Sequence, residues 1–390
     1  PGAPAPTETS RFEIGSVTKV YTAALLADMI ERGEVTLTTA VAELLPVGVT
    51  VPAFGDAAIT LGDLATHRSG LPRLPPSLLA QAEIDDPYAG YDANALYADL
   101  ERTPLGQAPG GRTLYSNYGA GLLGHALGLR AGGGWAAAVQ ARVLAPLGLA
   151  DTSVEVPGGA LVVGHDGDGA EVAPWTFDAL AGAGALRSTV RDQLAFLRAN
   201  LAAARGEPGP LAAALRRTHQ VQVPDAGGGK AGALGWFIDD RDRRWHNGGT
   251  GGHHAFVAFD PARNQGVVVL ASTSTSLVDR LGVDLLGVLA GESPAPLRGP
   301  SSAQLDAYVG TYADGDVGIR LVRRGPRLYS EDQSGGGDLR LLPLSPTEFY
   351  VDDLDAVVVV HPDEAQPNTI VGVTIIAGGD RIDLARVDAP

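Results

Sequence analysis

A chain of 390 residues that is 45% hydrophobic and 19% charged is long enough for one large globular domain or two ordinary ones, with apolar mass for a real core. Its formal charge of −16 disfavours nucleic acid or an anionic membrane surface as a partner. The lack of cysteine excludes disulfides, thiolate catalysis and Cys-ligated metal, and leaves the redox compartment unread.

The opening PGAPAPTETS has no charged-then-apolar signal pattern, and no apolar run approaches the roughly 18 residues of a membrane span. Location stays open between the cytoplasm and a route through a removed targeting segment. SVTKVYTAALLADMIERGEV repeats apolar residues at Val20, Ala23, Ala27 and Ile30, a helical period that RGE stops, with Ser16 in the first turn. From about 60 to 150 a helical subdomain is expected: ITLGDLATHRSGLP starts on a plausible cap at Thr60, and NYGAGLLGHALGLRAGGG and GWAAAVQARVLAPLGL read as separate helices. After a further helix, TVRDQLAFLRANLAAARG, the runs GALGWFIDD, RRWHN, HHAFVAFDP and QGVVVLAST read as successive strands of an antiparallel sheet. LVDRLGVDLLGVLAG forms a helix over that sheet, and GESPAPLRGPSSA has a linker's composition. The last 90 or so residues hold short β-branched runs (VGIRLVR, RLYS, LRLLPL, EFYV, AVVVVH, IVGVTIIA, IDLARV) that a small antiparallel barrel closes most simply. The expected class is α+β: an antiparallel sheet flanked by helices with a helical subdomain over residues 1–292, a linker over 293–303, and a β-barrel over 304–390.

Only two lysines stand against 27 arginines, and one of them, Lys19, trails Ser16 by three positions. Guanidinium does not titrate in proteins, whereas a desolvated lysine at the positive end of a helix gives up its proton, so the general base of such a pair has to be lysine. Ser16 is then a candidate nucleophile on the same helix face. As a bare pattern the pair also describes a capping serine and a solvated lysine, and Lys230 in GGGK reads as a loop charge. In LYSNYG, Tyr115 and Asn117 are two apart and point the same way in an extended loop, offering a phenol and an amide to one cleft. In WHNGGTGGHHAFVAFD, His246 ends a strand and glycines follow, where a substrate backbone can approach an edge. His253 and His254 face opposite sides of a strand with no carboxylate at ligand spacing, and HDGDG at 165–169 reads as a polar turn, so neither metal nor cofactor is expected. No G-x-S-x-G, no G-x-G-x-x-G after a strand and no G-x-x-x-x-G-K-[ST] is present.

Ser16-x-x-Lys19, Tyr115-x-Asn117 and His246-x-Gly248, in this order and at these separations, resemble the serine β-lactamase and penicillin-binding-protein superfamily, in its class C and D-alanyl-D-alanine carboxypeptidase/esterase branch. FEIGSVTK, ITLGDLATHRSGLP, GAGALRSTVRDQLAFL and HNGGTGGHHAFVAFDP look like family blocks across residues 7–290, and LDAYVGTYADGDVGIRL resembles the lipocalin-like barrel appended to many such hydrolases. The resemblance implies Ser16 as nucleophile, Lys19 as its base, Tyr115 as proton shuttle and Asn117 on the substrate amide. It places the oxyanion between the backbone N–H groups of Ser16 and Gly249, beside Gly248, with His246 orienting substrate or tuning Tyr115. The partner is a small-molecule or peptide acyl substrate.

Two departures shape the expectation. His246-Asn247-Gly248 stands where penicillin-processing enzymes have Lys-Thr-Gly, so the fixed cation for a β-lactam carboxylate is missing and ester, D-amino-acid peptide, amide or thioester substrates are favoured over efficient β-lactam hydrolysis. Family members also carry a helix and two strands ahead of the Ser-x-x-Lys helix, whereas 15 residues precede Ser16 here, which implies a sheet without its N-terminal hairpin. Two other classes compete: a penicillin-recognising sensor that is acylated without turnover, and a vestigial scaffold. The single lysine kept beside the serine argues against the scaffold.

Overall fold

The computed structural model describes every residue except 1–4, 80–85, 157–160, 168, 228–229, 294–298, 316, 332–337, 352–355, 364, 367–368, 378–379 and 388–390. Part of the expected linker, 294–298, therefore lies outside the described residues. Contacts divide the chain into two units, residues 1–274 with 281–292 and residues 275–280 with 293–390.

In the first unit, β1 (Phe12–Glu13) pairs antiparallel with Arg187–Ser188 and leads into a 3₁₀ turn, Gly15–Val17. Helix α1 (Thr18–Glu31) follows, and every residue from Thr18 to Met29 is buried. The apolar period marks one stripe, but Ala, Thr, Val and Leu fill the rest of the circumference, so the helix threads the core instead of lining it. It stops where RGE indicated, with Gly33 at φ +70. Next come α2 (Leu61–Ala65), α3 (Pro76–Leu79), α4 (Ala93–Arg102), α5 (Asn117–Ala131) and α6 (Gly134–Val139). Thr60 caps α2 as expected: its Oγ1 accepts from Asp63 N, and the Asp63 carboxylate accepts from Thr60 N. Short strands β2 (Gly164–His165) and β3 (Glu171–Val172) pair with each other, α7 (Ala181–Gly184) follows, and β4 is the Arg187–Ser188 partner of β1. Glycine lets α7 pack tightly on α5, because a Cβ on Gly124 would come within 2.7 Å of Gly182 Cα.

Helices α8 (Val190–Ala204) and α9 (Ala212–Thr218) precede a five-stranded antiparallel sheet in the order β5 (Ala231–Gly232), β6 (Phe237–Ile238), β7 (Arg244–Gly249), β8 (His254–Asp260), β9 (Gln265–Ala271). GALGWFIDD, expected as one strand, is two: Gly235 takes φ +71 and Ala233 N–H donates to Trp236 O, turning the chain between β5 and β6. RRWHN runs further than its letters suggest, since β7 continues through the glycines to Gly249 by pairing with β8. Phe196 of α8 stacks on Trp236, and α10 (Leu277–Leu289) sets Gly282 over the Phe256 ring, so helices cover the sheet. No described helix is long and apolar enough to cross a membrane.

In the second unit, α11 (Ser302–Tyr308), capped by Ser301, begins inside the expected linker and adds Leu305 and Tyr308 to the apolar core. Eight strands then close into an antiparallel barrel: β10 (Gly310–Asp314), β11 (Val317–Arg324), β12 (Arg327–Glu331), β13 (Leu339–Pro343), β14 (Glu348–Val351), β15 (Ala356–Pro362), β16 (Ile370–Ala377) and β17 (Asp380–Arg386). The seven runs read from the sequence miss β10, whose GTYAD lacks a β-branched run and is held by pairing on both sides, to β11 and β17. Leu321, Leu328, Leu341, Phe349, Val358 and Val373 pack the barrel core, as a barrel of eight strands allows.

Candidate active site

The junction between β1 and α1 carries the candidate pair, Ser16 and Lys19. Ser16 lies in the 3₁₀ turn and not in the first turn of α1, as the helical period had suggested; a 3₁₀ turn eclipses residues three apart, and Lys19 Nζ sits 2.7 Å from Ser16 Oγ. Lys19 is 4% exposed and makes two further hydrogen bonds, to Asn117 Oδ1 and to Ala183 O, each 2.8 Å. Burial lowers its pKa well below the ordinary lysine value, and the Arg73 charge lowers it further. Two fixed acceptors thus hold two of the amine's positions and the third faces the serine. In the neutral amine that third position is a lone pair, ready to take the hydroxyl proton.

Tyr115 and Asn117 both converge on Lys19, though not from one extended loop. Ser116 caps α5, its Oγ accepting from Gly119 N at 2.8 Å, and Asn117 is the helix's first residue. Lys19 Nζ lies 4.9 Å from the Tyr115 ring centre. Asn117 also donates from Nδ2 to Tyr88 Oη at 2.9 Å, which fixes its carbonyl oxygen toward the lysine. Three neighbours escaped the sequence reading. His67 is buried at φ +57, accepts at Nδ1 from Ser116 N and packs 4.5 Å from the Tyr115 ring; burial, then Lys19, holds its pKa well below the ordinary range. Arg73 sets its guanidinium 5.3 Å from the Tyr115 ring centre, and Tyr88 Oη accepts from the Asn117 amide. HRSGLPR and YAGY carried no catalytic spacing, so only the packed chain reveals these three.

The β7 edge supplies the other wall. β6 pairs with β7 only at Trp245 and Arg244, so from His246 to Gly249 the strand has no described strand partner on that side. Gly15 takes φ +46, and a Cβ there would lie 2.8 Å from Gly249 N; a Cβ on Gly248 would lie 2.6 Å from Ser16 N. Both glycines are therefore required for the strand to press against the serine turn. At this close approach Gly249 is exposed and Ser16 half-buried. His246 is 1% exposed and sits mid-strand, not at the end of β7. Its ring lies 6.4 Å from Tyr115 and 5.5 Å from Phe237, and burial followed by the Lys19 charge lowers its pKa to about 3. Its Nδ1 meets Asn247 O at 2.5 Å, which makes Nδ1 the protonated nitrogen and leaves Nε2 a buried acceptor with no described partner.

Other candidates stay outside this cluster. His253 bonds through Nε2 to Val162 O at 3.0 Å, and no group of three or more His, Asp or Glu side chains placed to hold a metal occurs among the described residues. In HDGDG, Asp166 Oδ1 accepts from Ala170 N within a turn, while residue 168 lies outside the described residues. Lys230 is more than a loop charge: its Nζ sits 4.9 Å from the Trp245 ring centre and 5.7 Å from that of Phe237.

The buried amine lies against a serine hydroxyl, and the helices and antiparallel sheet around the pair are the fold of β-lactamases and penicillin-binding proteins. The chain belongs to the Beta-lactamase family, which residues 2–292 match. It is 31% identical over 337 residues to penicillin-binding protein 4 of Amycolatopsis lactamdurans, covering 78% of this chain and 85% of that one. It is 27% identical over 308 residues to the D-alanyl-D-alanine-carboxypeptidase/endopeptidase AmpH of Escherichia coli (strain K12), covering 73% and 78%. An octameric penicillin-binding protein homologue from Pyrococcus abyssi superposes with a TM-score of 0.66 at 20% identity, covering 97% of this chain and 89% of that chain.

Proposed function

We propose that the protein cleaves or transfers acyl groups of esters and amides through an acyl-enzyme at Ser16. The observation that carries this is the 2.7 Å approach of the buried Lys19 Nζ to Ser16 Oγ, with the amine's two other hydrogen bonds already made to Asn117 Oδ1 and Ala183 O. Ser16 Oγ attacks the acyl carbon while its proton passes to neutral Lys19. The carbonyl oxygen becomes an oxyanion between the N–H groups of Ser16 and Gly249, each such donor being worth about 10²-fold in rate. Collapse expels the leaving group, which takes a proton relayed from Lys19 through the Tyr115 hydroxyl. Water or an amine then attacks the acyl-serine, its proton going to the same lysine, and Ser16 is restored. Asn117 offers an amide N–H or carbonyl to the substrate as well as holding Lys19. His246, neutral across physiological pH, accepts a hydrogen bond at Nε2 from the substrate or from Tyr115.

The neutral His246-Asn247-Gly248 segment supports ester, D-amino-acid peptide or amide substrates over efficient β-lactam hydrolysis. The test is intact mass after exposure to a fluorophosphonate and, separately, to a penicillin, for the native chain, Ser16→Ala and Lys19→Arg. A single adduct on the native chain, lost in Ser16→Ala and slowed by about 10²- to 10⁴-fold in Lys19→Arg, is expected. Folded native protein that takes neither probe overturns the reading, and persistent penicillin adducts without turnover would identify a sensor instead.

A further inference from the structure

We propose that Arg73 determines specificity by receiving a carboxylate on the substrate's leaving group. This rests on Ser16 being the nucleophile. The guanidinium is exposed and stands 5.3 Å from the Tyr115 ring centre, the ring that also meets Lys19 at 4.9 Å. Its backbone is pinned to the site: Arg73 O accepts from Asn117 N at 2.9 Å and from Tyr118 N at 3.2 Å, tying the loop to the start of α5. The chain has 45 acidic residues, and Arg11, Arg142, Arg187 and Arg243 each reach one. Among the described residues none reaches Arg73.

A cation with no acidic partner among the described residues, set against the Tyr115 ring in a protein of net charge −16, attracts one kind of ligand, an anion. Guanidinium presents a planar fork of donors that matches a carboxylate. Its place above Tyr115, the residue assigned to the leaving group's proton, puts the bound carboxylate on the leaving side of the scissile bond. Peptides and depsipeptides with a free C-terminus carry a carboxylate there. The cation comes from the loop before α3 and not from the third motif, so the sequence of that motif does not reveal it. A solvated loop arginine is a weaker anchor than a buried one, which fits a preference more than an absolute requirement.

Arg73 also lowers the pKa of Lys19, and that role would touch every substrate alike. The experiment therefore compares two compounds with one acyl group: an acyl-D-alanyl-D-lactate with its free carboxylate, and the same compound as its terminal methylamide. For each, the concentration that protects Ser16 from a neutral fluorophosphonate is measured, with kcat and KM where turnover occurs, on the pH plateau of each variant. The native protein is expected to prefer the carboxylate. Arg73→Gln should weaken the carboxylate compound about 10-fold, in KM, and the methylamide by less than about twofold, with Arg73→Lys restoring part of the preference. Equal losses on both compounds, no preference in the native protein, or a preference lost in Lys230→Met but kept in Arg73→Gln would each overturn the proposal. A native chain whose Ser16 takes no fluorophosphonate fails the parent reading instead.

Discussion

Lys19 is held by a serine hydroxyl, an amide oxygen and a backbone carbonyl, with only 4% of its surface left to water. Burial and the Arg73 charge both penalise the protonated amine, so the neutral base appears at a pH well below the ordinary lysine value of 10.5. The sign follows: the rate of Ser16 acylation climbs with pH as the amine loses its proton, then levels off. A pH profile of fluorophosphonate labelling should give one acid limb, with its midpoint well under 10.5. Arg73→Gln removes a nearby positive charge and should move that limb to higher pH. His246 contributes no limb above about pH 4, since its folded pKa is about 3. A limb that stays fixed in Arg73→Gln would separate Arg73 from the lysine electrostatically.

At the scale of elements, the site depends on close backbone approach. The 3₁₀ turn and β7 touch only because Gly15 and Gly248 have no side chains: a Cβ on Gly248 would lie 2.6 Å from Ser16 N and 2.8 Å from Val17 N. Gly248→Ala should therefore displace the strand from the serine and cut acylation by about 10²-fold while leaving the circular dichroism spectrum native-like. Gly249→Ala is the contrast, because its Cβ would meet nothing nearer than His254 Nδ1 at 3.4 Å, and its loss should be distinctly smaller. Equal effects would dissolve the link between strand position and chemistry. The long helices and β8, β9 were legible because each is a long apolar-rich run bounded by Gly, Pro or polar turn residues. The 3₁₀ turn, the split between β5 and β6, and strand β10 were not, since each is fixed by a turn glycine or a distant pairing partner. The same division holds for side chains. Ser16, Lys19, Tyr115, Asn117 and His246 could be read as an ordered set, whereas His67, Arg73 and Tyr88 lie on loops whose letters carry no spacing and enter the cluster only by packing.

At the scale of the molecule, each residue assigned to the chemistry lies in the first unit, and the barrel has its own apolar core. A chain ending at Glu292 is expected to fold and to acylate Ser16 within about twofold of the full chain's rate. A large loss on folded truncated protein, measured by labelling kinetics, would assign the barrel a part in the reaction. One further consequence comes from α1, which has no solvent-facing side between Thr18 and Met29. A helix so enclosed cannot fray or open on its own, so its amide protons should exchange with solvent only when the entire unit unfolds, among the slowest in the chain. Lys19, and Ser16 in the turn that leads into this helix, are thereby coupled to the most cooperative part of the molecule, and the fraction of chains that can react with a probe is expected to be the fraction that is folded.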